Sequence, residues 1–172
     1  ASSVYVLNDL FDLEADRHHP TKKLRPFAAG DLSLPTGLAL VLALLTTAGG
    51  LTLLLPRAFA LVLALYLTLT TSYSWRVKQL VLLDVFFLAG LYTIRLVAGH
   101  EATSIKYSFW LLAFSMFIFL SLALVKRYRE LLGLRHEKVH DARGRGYTAS
   151  DLEMVATLGS ASGYLSALVL AL

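Results

Sequence analysis

The sequence predicts an all-α integral membrane protein built as a multi-helix transmembrane bundle, and three observations carry that expectation. Hydrophobic residues make up 56% of the 172-residue chain and charged residues only 16%. A soluble domain of this length carries more charge and shorter apolar runs. The apolar residues are also gathered into long runs, each close to the ~20 residues an α-helix needs to cross a bilayer core. Finally, Lys and Arg concentrate in alternate connections between those runs, the pattern that marks cytoplasmic loops.

About six helices follow from the apolar runs. The first, Ala1–Leu13, lacks a preceding apolar half. Leu34–Leu55, Ala58–Trp75, Leu80–Ala98 and Tyr107–Val125 are complete spans, and Asp151–Leu172 stops inside an apolar stretch. With no initiator Met and a truncated helix at each end, residues 1–172 read as one transmembrane domain, an internal fragment of a larger protein. There is no Cys, so disulfides and thiolate metal sites are excluded.

The connection after the first helix carries Arg17, Lys22, Lys23 and Arg25, and the short turn before the fourth carries Arg76 and Lys78. The connection before the last helix carries Lys126, Arg127, Arg129, Arg135, Lys138, Arg143 and Arg145. These three hold 13 of the 16 Lys and Arg. The other side has only Arg57 and Lys106, while Arg95 lies inside the fourth helix. The asymmetry predicts that loops 16–33, 76–79 and 126–150 face the cytoplasm. The net charge of +4 is therefore juxtamembrane, and it gives no indication of nucleic acid as a partner.

The same topology brings the acids to that side. In NDLFDLEADRHHPTKKLRPFAAG (8–30), Asn8, Asp9, Asp12 and Asp16 project from one helical arc about 100° wide. Anions so crowded raise one another's pKa and weaken the helix unless positive charge sits among them. A divalent cation with hard oxygen ligands meets that need. Mg²⁺ takes one or two carboxylates and completes its shell with water and phosphate oxygens. The bases that follow, Lys22, Lys23 and Arg25, are natural ligands for phosphate oxygens. Carboxylates, cation and bases together describe a diphosphate site. Pro20, Pro26 and Gly30 end the helix and shape a short loop. His18 and His19 point to different faces and read as surface residues.

The pattern N-D-x-x-D-x-x-x-D at Asn8, Asp9, Asp12 and Asp16, followed by T-K-x-x-R-P-x-x-x-G at Thr21–Gly30, resembles the first aspartate-rich motif of the UbiA superfamily of intramembrane prenyltransferases. YSWRVKQLVLLDV (Tyr73–Val85), IRLVAG (Ile94–Gly99) and KRYREL (Lys126–Leu131) look like the branch that includes decaprenyl-phosphate phosphoribosyltransferase. They are also similar to the membrane half of bacterial proteins with a phosphatase-like domain upstream. The resemblance implies an all-helical fold, Mg²⁺ as cofactor, and a site at the cytoplasmic surface of a bacterial inner membrane. It implies as partners the lipid bilayer, a polyprenyl or prenyl (di)phosphate lipid, and either phosphoribosyl diphosphate or an aromatic acceptor. The second acidic D-x-x-x-D motif of aromatic prenyltransferases is not matched: Val155 follows Asp151 at the fourth position, and Leu88 follows Asp84. That departure favours the phosphoribosyl branch.

On either reaction a diphosphate leaves an electrophilic carbon. The expected roles put Asn8, Asp9, Asp12 and Asp16 on Mg²⁺, directly or through water, and Lys22, Lys23 and Arg25 on the diphosphate. Lys78 is expected to bind the phosphate of a lipid acceptor, and Lys126 and Arg127 either do the same or, as with Arg129, anchor the helices. Asp84 orients a sugar hydroxyl or a base, or serves a second metal. Tyr73 is a site residue or an interfacial aromatic. Arg95, roughly 16 Å along its helix from Asp84, is expected to pair structurally. Gly159 and Gly163 have the spacing of close helix packing. Phe109, Trp110, Phe114, Phe117 and Phe119 line an isoprenoid channel or face lipid. The loop with Arg143, Gly144, Arg145 and Gly146 is long enough to cap the site. The alternative class, a cation-coupled transporter, would carry its acids near the bilayer midplane.

Overall fold

The computed structural model describes residues 2–18, 21–103, 105–136 and 146–172. The chain divides into two compact units, Ala1–Ala60 and Leu61–Leu172. All regular elements among the described residues are helical. Among the described residues, five helices are long and apolar enough to cross a membrane, as the all-α membrane bundle read from the sequence requires.

In the first unit, α1 (Ser2–Phe11) passes through Asp12 into α2 (Leu13–Arg17). The bonds Asp12 N to Asn8 O at 2.9 Å and Asp16 N to Asp12 O at 2.8 Å carry helical pairing across that junction. A 3₁₀ turn (Lys22–Leu24) leads to α3 (Pro26–Ala29), with Pro at the position where a missing N–H costs least. Gly30, at φ +88°, ends α3 in the left-handed region. Ser33 Oγ then accepts from Thr36 N at 3.3 Å and caps α4 (Leu34–Thr52). α4 packs on α1, and Gly37 makes the approach possible. A Cβ there would stand 2.8 Å from Phe27 Cε1 and 3.0 Å from Leu10 Cδ2.

α5 (Arg57–Trp75) leads into the second unit, followed by a 3₁₀ turn (Val77–Gln79), α6 (Leu83–Thr103) and α7 (Phe109–His136). A further 3₁₀ turn (Ala149–Asp151) opens α8 (Leu152–Ala171). α7 is central and packs on both α6 and α8. The core runs along it: Val85 and Ala89 from α6, Leu120, Ala123, Leu124 and Leu131 from α7, with Tyr147, Leu152 and Val155. Gly159 and Gly163 act as expected. Their Cβ positions would lie 3.3 Å from Leu124 Cβ and 3.2 Å from Ser121 Oγ, and Ser121 Oγ donates to Gly159 O at 2.8 Å.

Several boundaries depart from the sequence reading, α4 ending at Thr52 and α6 running on to Thr103, and two departures shape the site. α6 starts at Leu83 rather than Leu80, because Leu82 adopts φ +64°. α7 continues past Val125 to His136, so the loop expected over 126–150 is helical up to there. Its extension is rich in helix formers, and Leu131 is fully buried. The 137–145 stretch, with the capping arginines Arg143 and Arg145, lies outside the described residues, as do His19 and Pro20.

α4 and α5 carry many hydroxyls, yet these turn inward on their own helices. Thr46, Thr47, Thr52, Thr68, Thr70, Thr71 and Ser72 each donate to a carbonyl three or four residues earlier, at 2.7–3.0 Å.

Candidate functional site

The first unit gathers its charges around one guanidinium. Arg25 Nη1 donates to Asp9 Oδ1 at 2.8 Å and to Asp16 Oδ2 at 2.7 Å. The two hydrogens of one nitrogen thus serve two carboxylates. Lys22 Nζ lies 3.8 Å from Asp16 Oδ1. Asp16 is buried, whereas the Arg25 side chain is 40% exposed.

Local sequence explains why Arg25 reaches back. The residue before a proline is driven from the helical region toward extended backbone, and Arg25 has φ −66°, ψ 144°. Pro26 starts α3, and Phe27, buried and packed against Gly37, fixes that short helix.

Asn8 and Asp12 are half-buried on the preceding helix. Beyond its backbone bonds, Asp12 makes no side-chain hydrogen bond or ion pair within the described residues. Lys23 is exposed. His18 Nδ1 lies 2.8 Å from Glu14 O, turned back on its own helix.

Among the described residues, no three His, Asp or Glu side chains converge tightly enough to hold a metal ion. The donor set still suits Mg²⁺ in kind, being carboxylate and amide oxygens. Asp9 and Asp16 already converge on one point of positive charge.

The second unit holds a different assembly. Asp84, in the first turn of α6, is fully buried. Its Oδ2 lies 2.5 Å from Arg127 Nη2, and its Oδ1 accepts the Tyr147 hydroxyl at 2.6 Å. The same hydroxyl accepts from Leu82 N at 2.8 Å, which claims the amide where α6 would otherwise have begun earlier. Arg127 is 1% exposed, donates through Nη1 to Glu130, and lies over the Tyr147 ring at 5.1 Å.

Gly146 permits this docking. A Cβ there would lie 2.5 Å from Gln79 O, a separation real structures do not show. Burial, and next the hydrogen bond to Asp84, push the Tyr147 phenol up to about 12.

Other candidates fall into place individually. Asp151 Oδ2 accepts from Thr148 N at 2.8 Å and from Thr148 Oγ1 at 3.0 Å, so it closes a capping box at the start of α8. Lys78 is half-buried on the 3₁₀ turn, Tyr73 is half-buried near the end of α5, and Lys126 is exposed. Arg127 differs from its expected place beside Lys126 at the surface. Adjacent residues of a helix diverge by about 100°, and Arg127 points inward to Asp84.

Arg95 pairs structurally, as its position implied. Its Nη2 donates to Tyr66 Oη at 2.7 Å, and its guanidinium lies 5.4 Å and 5.1 Å from the ring centroids of Tyr66 and Tyr92. Phe109 and Trp110 are exposed on α7.

Sequence reasoning missed Tyr147. Its signal was its place between Gly146 and a Thr148-x-x-Asp151 helix start.

Comparison with known proteins adds the following. The model of the UbiA prenyltransferase family matches residues 1–171. The nodulation protein NoeC of Azorhizobium caulinodans is 40% identical over the whole chain, which covers 56% of that protein. Decaprenyl-phosphate phosphoribosyltransferase of Mycobacterium tuberculosis is 37% identical over 93% of this chain and 53% of its own length. The Corynebacterium glutamicum protein of the same name is 33% identical over 96% of this chain and 51% of its own. The chain spans about half the length of these relatives.

Proposed function

The chain belongs to the UbiA prenyltransferase family, and from that premise we propose that the whole protein is a Mg²⁺-dependent membrane transferase acting on a diphosphate substrate. The finer reading is phosphoribosyl transfer from phosphoribosyl diphosphate to a polyprenyl phosphate. A phosphate oxygen of the lipid bonds to the anomeric carbon, the bond from that carbon to diphosphate breaks, and diphosphate leaves with the electron pair.

The observation that carries the reading is the Arg25 bridge between Asp9 and Asp16, with Lys22 alongside. Acids that converge on one cationic point, beside further bases, match a cation–diphosphate complex. Asn8, Asp9, Asp12 and Asp16 would hold Mg²⁺, whose contribution when bound is to stabilise charge on the departing group. Lys22, Lys23 and Arg25 meet the diphosphate oxygens. Lys78 and Lys126 meet the lipid phosphate, with Tyr73 at the same boundary.

Asp84 acts as a positioning residue. Its two oxygens serve Arg127 and Tyr147, and Asp151 serves a helix cap. Neither behaves as half of a second acidic pair, which supports the phosphoribosyl branch, as do the relatives bearing that activity in their names. The Lys and Arg asymmetry supports a site facing the cytoplasm of a bacterial inner membrane.

The family description favours a second reading, transfer of a prenyl group from prenyl diphosphate to an aromatic acceptor. One experiment separates them. The full-length protein in lipid with Mg²⁺ receives either labelled phosphoribosyl diphosphate and polyprenyl phosphate, or prenyl diphosphate and an aromatic acid. Transfer in the first pair, lost in Asp12→Ala, is the expected result. Transfer in the second pair alone overturns it.

A further inference from the structure

We propose that Arg25 is the resting counter-ion of the Asp9–Asp16 pair and competes with the divalent cation for those same two carboxylates. Cation entry is then an exchange, and it releases the guanidinium to the leaving diphosphate. This rests on the reading of Asp9 and Asp16 as cation ligands and names how that site is kept closed until it is loaded.

Geometry comes first. One nitrogen bonds both carboxylates at 2.8 and 2.7 Å, so the two oxygens are no further apart than those bonds laid end to end. They face a single point. A small hard cation shared by the two carboxylates would need the space between them, which Nη1 fills.

Burial supplies the need for a resting charge. The Asp16 side chain is 3% exposed, and a carboxylate so enclosed is not left uncompensated. Lys22 stands farther off, at 3.8 Å, and leaves Asp9 unserved. Arg25 supplies the compensation at hydrogen-bond distance to both.

Exposure supplies the means of release. The Arg25 side chain is 40% exposed on a backbone held extended by Pro26. The guanidinium can swing into solvent while its Cα stays fixed. Replacing one positive charge by two strengthens the attraction on both acids. The displaced guanidinium remains tethered beside the cation, where a two-pronged donor suits diphosphate oxygens. Arg25 thus acts on carboxylates in one state and on phosphate in the other.

The test is metal binding without substrate. The full-length protein in lipid nanodiscs is titrated with Mn²⁺, free ion being read by electron paramagnetic resonance. Arg25→Gln is expected to bind Mn²⁺ roughly tenfold more tightly than the native protein, since a charge-assisted competitor has gone. Arg25→Lys, which keeps a charge but loses the fork, falls between. In Arg25→Ala, added methylguanidinium is expected to weaken Mn²⁺ binding again, which a folding defect would not do. Thermal unfolding without metal should drop in Arg25→Gln and recover with saturating Mn²⁺. Unchanged or weaker Mn²⁺ binding in Arg25→Gln overturns the exchange and makes Arg25 a mere support for the acids. Binding by neither protein overturns the metal reading itself, a separate and recognisable failure.

Discussion

Replacing Asp84 by Asn tests the buried assembly of the second unit. The carboxylate is fully buried, 2.5 Å from Arg127 Nη2 and 2.6 Å from Tyr147 Oη. Asn keeps the outline and one carbonyl oxygen but removes the charge. Arg127, 1% exposed, is left with Glu130, whose side chain is 36% exposed and partly screened by solvent. Breaking a buried pair by neutralising one partner costs about 3–5 kcal/mol. The Tyr147 hydroxyl can still donate to the Asn oxygen, so the lower end, about 3 kcal/mol, is expected. Unfolding of the detergent-solubilised protein by SDS titration at neutral pH measures it. The double variant Asp84→Leu/Arg127→Met should recover most of the loss, because apolar groups can replace a buried pair at little cost. Stability of Asp84→Asn within about 0.5 kcal/mol of native would refute the reasoning. So would a double variant worse than the single one.

Gly146→Ala forces a Cβ against Gln79 O, 2.5 Å away, and should cost about 1–3 kcal/mol in the same assay. Gly37→Ala pushes on Phe27 and Leu10. It should destabilise by a similar amount and lower transfer activity, because Phe27 fixes the helix that begins one residue after Arg25. Tyr147→Phe takes the acceptor from Leu82 N and one of the donors from Asp84 and should cost about 1–3 kcal/mol. The phenol's pKa is raised in the folded state, from 10.0 to about 12. Its contribution is therefore complete below pH 10 and lost as pH rises through about 12. Alkaline unfolding curves of native and Tyr147→Phe proteins should converge across that window.

Much of this was legible in the chain. Length and apolar content are enough to mark spans, because a bilayer tolerates little else. The acidic arc of Asn8, Asp9, Asp12 and Asp16 was readable because helical periodicity is local. Arg25 was readable as a base near the acids but not as a bridge, since its direction depends on Pro26 and on Phe27 packing against Gly37. Arg127 carried an overlooked signal. It continues the stripe of Leu120, Ala123 and Leu124 and precedes Leu131, at helical spacing, all of them buried. Ending the helix at Val125 hid that register. The start of α6 had no local signal at all, because the group that holds the Leu82 amide belongs to Tyr147, far along the chain.

The hydroxyls of α4 and α5 bear on how the protein is made. A Thr or Ser that needs a neighbouring helix to satisfy it must wait in the membrane until that neighbour arrives. Here the hydroxyls of Thr46, Thr47, Thr52, Thr68, Thr70, Thr71 and Ser72 are each satisfied by a carbonyl of their own helix, so none of these seven is stranded in lipid in the interval. These hydroxyls therefore place no demand on later helices while the two segments leave the insertion machinery and equilibrate with the bilayer. Assembly with later helices then becomes a separate step for these groups, at which Tyr66 of α5 meets Arg95 of α6.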